Sequence, residues 1–507
     1  MSAAVPGPPS VPPPYAGVRE THAGVVFLVG DRAYKLKKPY DFGFLDYTTL
    51  EARRAACHDE VRLNRRLAPD VYLGVSDVRD PAGEVCDHLV VMRRMPDERR
   101  LAAMVADGAP VRGPLRDLAR RLAAFHSAAH RGPRIDAEAE ALALRGRWTD
   151  GFTQMRGFAD SPVPSRRLDR IERLALRFLD GRGRLFAQRI ADGRAVEGHG
   201  DLLADDVFCL DDGPRALDCL EFDARLRYLD GLDDAAFLAM DLERLGAAAL
   251  ADDFLVWYAE FAGDPAPPAL RHHYVAYRAF VRAKVACLRY AQGAGAAAPL
   301  ARHLAELAER HLQAGTVRLI LVGGLPGTGK STLSGALADR LGLVLLSSDA
   351  VRKELAGHAP AEPLAAGYRQ GVYAPEWSDR TYTELMRRAA ALLAMGESVV
   401  VDASWLSAAH RAAAARTADD AAADLVQLRC ATDPAISAHR IRDRAAAPHA
   451  SDADPEVARA MAADADPWPE AEPVDTRRRL SDAVAACLPV VLGGGAPETG
   501  GEMEGEP

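Results

Sequence analysis

The chain reads as two folds in series, an α+β half followed by an α/β half built on a parallel sheet. Three observations predict this. Strand signals and a tight hairpin open the chain and return near residue 210, with a long helical stretch between them. From Thr316 the pattern changes to strand and helix in alternation. That change coincides with a glycine-rich loop, GGLPGTGKST, set between a buried apolar run and an amphipathic helix. Length agrees, since 507 residues exceed one ordinary core.

Residues 1–22 form a Pro-rich tail, read as disordered or extended, without the basic start and apolar run of a signal peptide. No run of about 18 apolar residues occurs, so the chain is expected to be cytoplasmic and to have no membrane role. The seven cysteines include no CxxC pair and no zinc-type cluster, which suits a reducing compartment. A formal net charge of −9 gives no global basic field to draw in nucleic acid or an anionic surface. Of the 63 basic residues only six are lysine, at 35, 37, 38, 284, 330 and 353. Arginine has taken the generic surface role, and the remaining lysines stand where a compact point charge is needed.

In order, VVFLV (25–29) and RAYKLKK (32–38) flank Gly30-Asp31, a two-residue hairpin signal. Thr48-x-x-Glu51 is a capping-box pattern opening a helix expected to reach about Leu67. DHLVVMRRM (87–95) is a further strand, and helices dominate from residue 100 to VEGHGDLLADDVFCLDDGPRALDCLEF, where short strands return around Asp212-Gly213. Helical patterns then resume, ending in a linker helix over 299–315. The expected domains are 23–298 and 316–492, followed by an acidic tail at 493–507.

In the second half, RLILVGG, GLPGTGKS and STLSGALADRLG give strand, loop and helix in the order a P-loop requires. The loop's glycines let backbone N–H groups converge on phosphate oxygens at a helix N-terminus. Gly324, Gly327, Thr328, Gly329, Lys330, Ser331 and Thr332 are the expected nucleotide cradle, with Lys330 reaching the outer phosphates and Ser331 ligating Mg²⁺. MGESVVVDAS ends a buried strand at Asp402, a second magnesium carboxylate. Its neighbour is Ala403, not the glutamate with which motor ATPases activate water, which favours transfer to a substrate over hydrolysis. LGLVLLSSD places Asp349 at a strand tip, either as a base for an acceptor hydroxyl or as a helix N-cap, with Arg352 as a phosphate or substrate ligand. Arg440 and Arg444, four apart on one helix face, form either a lid over ATP or a solvated face.

In the first half, His199, Asp201 and Asp206 lie in a loop before a short hairpin, Asp218 on the returning strand and Glu221 just beyond. Carboxylates gathered at a hairpin mouth can hold metal or abstract a proton. Lys35 and Lys37 share one face of their strand, so spacing alone does not separate them.

Residues 316 to about 490 resemble the P-loop kinases of small molecules and of polynucleotide 5′-hydroxyls, through GLPGTGKS, SSDAVRK and VVVDAS. The resemblance implies ATP- and Mg²⁺-dependent phosphorylation of a hydroxyl, with acceptors that differ widely among members. Residues 23 to about 295 resemble the aminoglycoside phosphotransferase family, with its protein-kinase-like fold. The match lies in the order of lysine strand, Glu60 helix, VVMRRM, HGD and Asp218, together with LAAFHSAAH and DDAAFLAMDL. By that resemblance Lys35 contacts the ATP phosphates and pairs with Glu60, Asp201 is the base, and Asp218 binds magnesium. Glu51 is assigned to its cap, which leaves Glu60 as the partner. The family loop HGDxHxxN departs here, with Leu203 for the second His and Asp206 for the Asn; an aspartate still ligates magnesium while adding negative charge. THAG (21–24) supplies no glycine-rich phosphate cover. The whole resembles a bacterial group in which the two domains are fused.

The expected function is an ATP-dependent phosphotransferase acting on a small-molecule hydroxyl, its first half a second phosphotransferase or a substrate sensor. One rival is an ATP-binding regulatory protein with a degenerate kinase-like ligand-binding domain. Another is a nucleic-acid 5′-hydroxyl kinase, which the acidic balance disfavours.

Overall fold

The computed structural model describes residues 15–20, 24–41, 46–359, 369–444 and 455–493. The chain divides into two compact units, Met1–Ala139 with Gly193–Pro265, and Glu140–Asp192 with Ala266–Pro507.

The first unit begins with β1 (Ala16–Glu20), β2 (Gly24–Val29) and β3 (Arg32–Lys37), then α1 (Leu50–Asn64), β4 (Tyr72–Arg79) and β5 (Val85–Arg93). The five strands form an antiparallel sheet ordered β1-β2-β3-β5-β4. Part of the expected tail is therefore strand: β1 pairs Ala16 with Val29 and Glu20 with Val25. The rest of the Pro-rich segment, the phosphate-cover segment at 21–23 and the acidic tail from 494 lie outside the described residues. Gly30, at φ 57°, supplies the left-handed residue that the β2–β3 turn needs.

Helix α1 starts one residue later than its capping-box reading. Thr49 is the cap, its hydroxyl accepting from the Ala52 N–H at 3.1 Å, while Thr48 donates to Asp46. Glu51 therefore lies inside the first turn, where a carboxylate meets the positive end of the helix dipole, and the helix stops at Asn64. Alternation along β3 turns Ala33 into the core formed with Cys57, Val61 and Val90, and carries Lys35 and Lys37 along the same face onto α1.

The chain continues through α2 (Leu101–Ala106), α3 (Arg112–Ala128) and α4 (Pro133–Ala139), then contributes α5 (Ala141–Arg156), α6 (Ser165–Gly181) and α7 (Gly183–Ala191) to the second unit. It returns with β6 (Ala195–Glu197), β7 (Val207–Leu210), β8 (Gly213–Ala216), β9 (Tyr228–Asp230), α8 (Gly231–Arg244) and α9 (Ala248–Ala262). β7 and β8 are the short hairpin expected around Asp212-Gly213. Helices α10 (Pro268–Ala291) and α11 (Ala297–Ala314) belong to the second unit, so the stretch 23–298 is shared between the units.

The physical reason is packing. Phe178 stacks on His273 with ring centres 4.4 Å apart, Trp148 packs on Phe280 at 4.8 Å, and α6 ends at Gly181, whose missing side chain lets the Ala421 carbonyl approach.

The remainder of the second unit runs β10 (Arg318–Gly323), α12 (Lys330–Leu341), β11 (Val344–Ser347), α13 (Ser348–Leu355), α14 (Pro375–Ala394), β12 (Val399–Asp402), α15 (Ala408–Asp420), β13 (Asp424–Ala431), α16 (Pro434–Arg444), α17 (Pro455–Ala463), β14 (Glu472–Asp475) and α18 (Leu480–Val491). Its five strands are all parallel, in the order β11-β12-β10-β13-β14. β10 is central and buried along its length, as its apolar run requires. Successive strands pair on opposite sides of it, so their carboxyl ends open a crevice of the kind that binds ligands in doubly wound sheets. Val322 and Ser347 both pair with Asp402, which brings that carboxylate to the mouth of the crevice.

Candidate functional site

In the second unit the loop after β10 turns through Gly324, Gly327 and Gly329 at φ 146°, 81° and 88°. A side chain at Gly327 would come within 2.6 Å of the Ser437 carbonyl, so α16 crosses where only glycine fits. Gly329 begins α12 in the left-handed conformation and offers no side-chain cap. The first N–H groups of the helix, from Lys330, Ser331 and Thr332, are therefore left for an anion. Thr328 turns its hydroxyl back to the Leu325 carbonyl at 2.7 Å, bracing the loop.

Asp402 is buried at the end of β12. Burial pushes its carboxyl up, against the opposing pull of Lys330 and a hydrogen bond from Ser331. Its Oδ1 is buried with no partner. An orphaned carboxylate oxygen beside a serine hydroxyl and an uncapped helix start fits a hard divalent cation shared with phosphate. Among the described residues no three His, Cys, Asp or Glu side chains form a ready cation cage; Mg²⁺ needs none, because it keeps waters and takes one or two carboxylates plus phosphate oxygens.

Asp349 is not at a strand tip. β11 ends at Ser347, which caps α13 by accepting from the Ala350 N–H at 3.5 Å, so Asp349 lies in the first helical turn and is free of the capping role. Its charge reaches Asp402 and adds to the upward push there. Arg352 is buried, donates Nη1 to the Val372 carbonyl at 2.9 Å and lies over the Tyr373 ring at 5.0 Å, clamping that turn; its Nε is buried without a partner.

Arg440 donates to the Thr476 carbonyl at 2.8 Å, and the Thr476 hydroxyl donates to the Thr328 carbonyl at 2.6 Å, so α16 is tied to the loop through a residue the sequence did not single out. Arg444 ends the same helix, and its side chain and the segment 445–454 lie outside the described residues.

In the first unit both lysines of β3 meet Glu60. Lys35 Nζ lies 2.9 Å from Oε1 and 2.7 Å from Asp218, while Lys37 contacts the other Glu60 oxygen and Glu221. The question left open by strand alternation is answered by sharing: one buried carboxylate serves two lysines. Burial disfavours ionising Glu60, but Lys35 and then Lys37 outweigh it and its pKa falls. Lys35, opposed by burial but facing Asp218 and Glu60, is held well above its ordinary value.

Asp218 lies two residues beyond β8, not on it, in the left-handed region at φ 61°. The strain is held by neighbours: its N–H donates to the Tyr72 hydroxyl at 3.1 Å, and the Cys219 N–H donates to Asn64 at 2.8 Å. Lys35 keeps the Asp218 carboxyl below the usual range. Asp206 is pushed well above it, by burial and then by facing Asp218 and Asp201. Crowded carboxylates of this kind are relieved by a divalent cation, so Asp206 and Asp218 fit Mg²⁺ by charge.

The loop carrying Asp201 is set by Asp234, which accepts from the His199 and Gly200 N–H groups at 2.7 and 2.9 Å and from His126 Nε2 at 3.0 Å. His199 donates Nε2–H to the Leu217 carbonyl at 3.0 Å and accepts the Asp201 N–H at 3.4 Å, which fixes its tautomer. Neither His126 nor Asp234 was assigned a role from sequence, although both lie in the segments LAAFHSAAH and DDAAFLAMDL.

A family model described as an AAA domain matches residues 319–468. A putative kinase from Chloroflexus aurantiacus is 26% identical to this chain, with 34% of this chain and 98% of that one covered and a TM-score of 0.29. The GDP and kanamycin complex of the aminoglycoside phosphotransferase APH(2")-IIia is 16% identical, covering 58% of this chain and 93% of that one, with a TM-score of 0.39. No helix among the described residues is long and apolar enough to cross a membrane. An uncharacterized protein of Mycobacterium tuberculosis is 47% identical over 466 residues, 91% of this chain and 93% of its own length. At that identity over that length, the chain belongs to one family with the mycobacterial protein.

Proposed function

We propose that the chain is an ATP-dependent phosphotransferase whose second unit moves the γ-phosphate of ATP to a hydroxyl of a small molecule. The observation that carries this reading is the uncapped start of α12, with Lys330 and the Ser331–Asp402 pair set against it and one Asp402 oxygen left without a partner. Backbone N–H groups of the glycine loop and of α12 hold the β- and γ-phosphates, and Lys330 neutralises charge on the oxygens that gain it as transfer proceeds. Ser331 and Asp402 would hold Mg²⁺, which would supply further charge neutralisation during transfer. Asp349 takes the proton of the acceptor hydroxyl as its oxygen bonds to the γ-phosphorus, and ADP leaves with the bridging oxygen. Ala403 beside Asp402 carries no carboxylate to activate water, which supports transfer over hydrolysis.

The first unit is read as a second nucleotide site: Lys35 on the phosphates, Asp218 and Asp206 on magnesium, Asp201 as base. Both units are tested in one experiment, transfer of labelled γ-phosphate from Mg-ATP to a panel of metabolites and oligonucleotides by wild type, Lys330→Ala and Asp201→Ala. Labelled metabolite lost only with Lys330→Ala supports the second unit as the kinase and the first as a sensor. Loss only with Asp201→Ala reverses the assignment. Labelled oligonucleotide in place of metabolite would make the chain a nucleic-acid end kinase, and ATP binding with no labelled product at all would leave the regulatory reading.

A further inference from the structure

The second unit holds a cation that the phosphate site does not use. Arg182, between α6 and α7, is 1% exposed. It donates Nη1 to the Ala421 carbonyl at 2.5 Å, and its Nε is buried without a partner. The charge acting on it is another cation, Arg177, and burial has pulled its pKa down to about 10. Arg177 is itself satisfied, by Asp424 at 3.2 Å and the Ala423 carbonyl at 2.9 Å.

A second residue lining the same space also carries an unpartnered nitrogen. His273 on α10 is 2% exposed, and its Nε2 accepts from the Trp148 indole at 3.4 Å. In the neutral ring the proton then sits on Nδ1, which is buried with no partner. Arg182 and His273 line one cavity of about 20 Å³, walled by Arg177, Phe178, Thr316 and Ala422, with no Asp or Glu in its lining. Arg182 and His273, each with one unpartnered buried nitrogen, thus line a space whose walls carry no Asp or Glu, with the Phe178 ring centre 5.5 Å from the guanidinium carbon. Each unpaired donor would cost about 1–3 kcal/mol if left alone, and a buried unpaired cation more.

We propose that this cavity is a binding site for a single small monovalent anion of halide size, held by Arg182 Nε–H and His273 Nδ1–H. The volume is somewhat more than the ~10–15 Å³ that one water requires, which suits a small ion. A water could accept from both donors, but it would bring two protons of its own and no charge. A halide accepts from every side, donates nothing and neutralises the guanidinium. Thr316 and Ala422 each lie two residues before a central strand, β10 and β13, so the occupant ties α6 and α10 to the base of those strands. Its presence makes the stability of the second unit depend on chloride.

The test is thermal unfolding of the full chain in chloride against gluconate at equal ionic strength, with crystals grown in bromide for anomalous scattering. Chloride at about ten times its dissociation constant is expected to raise the Tm of the second unit by about 3 °C, with gluconate inert. A bromide peak is expected between Arg182 and His273. His273→Phe, which retains the stack on Phe178 and removes the donor, should shift half-saturation upward about tenfold. Arg182→Met should abolish the response, and if it fails to fold, the His273 variant still decides. Equal Tm in chloride and gluconate, a water in place of bromide, or an unshifted response in His273→Phe would each overturn the proposal.

Discussion

The two candidate nucleotide sites are built in opposite ways. In the second unit the phosphate cradle is made of backbone: three positive-φ glycines and the bare start of α12 present N–H groups, while a buried carboxylate waits with one oxygen unpaired. In the first unit the site is made of side chains already paired with one another: Lys35 and Lys37 are both engaged by Glu60, with Asp218 and Glu221 on their other sides. The first arrangement is poised for an anion. The second has more acid than base, and Asp206 resists ionising beside Asp218 and Asp201. A divalent cation would relieve that crowding. Local backbone geometry presents donors to phosphate with one carboxylate oxygen held ready beside them, whereas the side-chain cluster has its charged groups already spent on one another.

The sharpest way to break this contrast is catalytic. Lys330→Ala is expected to lower kcat for phosphate transfer by about a thousandfold with little effect on unfolding, because the lysine acts on charge that develops during transfer. Asp201→Ala is expected to leave that transfer intact. A large loss from Asp201→Ala in the same assay would move the chemistry to the first unit. The next largest effect is on stability. Glu60 is fully buried and serves both lysines, so Glu60→Gln leaves buried Lys37 and part-buried Lys35 with half their compensation. The expected cost is about 3–5 kcal/mol in denaturant unfolding of the first unit. Ser331→Ala, the matched change in the second unit, is expected to cost under about 0.5 kcal/mol. Similar costs for the two would mean that the sites do not differ in this way.

The same contrast explains how much the sequence disclosed. The loop from Gly324 to Thr332 is contiguous, its glycines report backbone conformation directly, and strand and helix appear where the periodicity predicts them. Asp402 was legible because a buried strand ends on it. Glu60 was reached through family order, but its sharing by Lys35 and Lys37 was not, since that depends on how α1 lies across β3. Asp234 and His126, 108 residues apart, meet only in the fold. Thr476 carried no signal at all, being one hydroxyl after a short strand. The cap of α1 was misplaced by one residue because Thr48 and Thr49 are adjacent and only backbone angles choose between them. Asp349 was set at a strand tip because an apolar run does not mark where a strand ends and a helix begins.

A third prediction concerns pH. Burial opposes ionisation of Asp234, but the hydrogen bond from His126 and the backbone N–H of His199 prevail and hold its carboxyl well below the ordinary range. A depressed folded-state pKa contributes stability that is present above the unfolded value, near ~4, and is lost as pH falls toward the folded one. The first unit should therefore weaken progressively below about pH 4, by on the order of 2 kcal/mol from this group. Asp234→Asn should flatten the acid limb of a Tm against pH curve for the first unit. An unchanged acid limb would show that the loop carrying Asp201 is held by something other than this carboxylate.

The smallest effect concerns how the phosphate cradle is braced. Arg440 touches the loop at one remove: it donates to the Thr476 carbonyl, and the Thr476 hydroxyl in turn donates to the Thr328 carbonyl. A side chain added at Gly329 would lie 3.5 Å from Arg440 Nη1, so the guanidinium stands beside the start of α12 without being part of it. As a brace, Arg440 contributes roughly the net value of one hydrogen bond, about 1 kcal/mol. Arg440→Ala and Thr476→Val should then weaken Mg-ATP binding by a similar factor, about fivefold each, with kcat nearly unchanged. Because both act through one chain of hydrogen bonds, the double variant should lose little more than either single one. A loss of about a hundredfold in kcat from Arg440→Ala alone, with Thr476→Val near wild type, would instead make the arginine a ligand of the transferring phosphoryl group. In that case the second site, like the first, would depend on side-chain charge delivered from elsewhere in the fold, and the difference between them would narrow to the glycine loop itself.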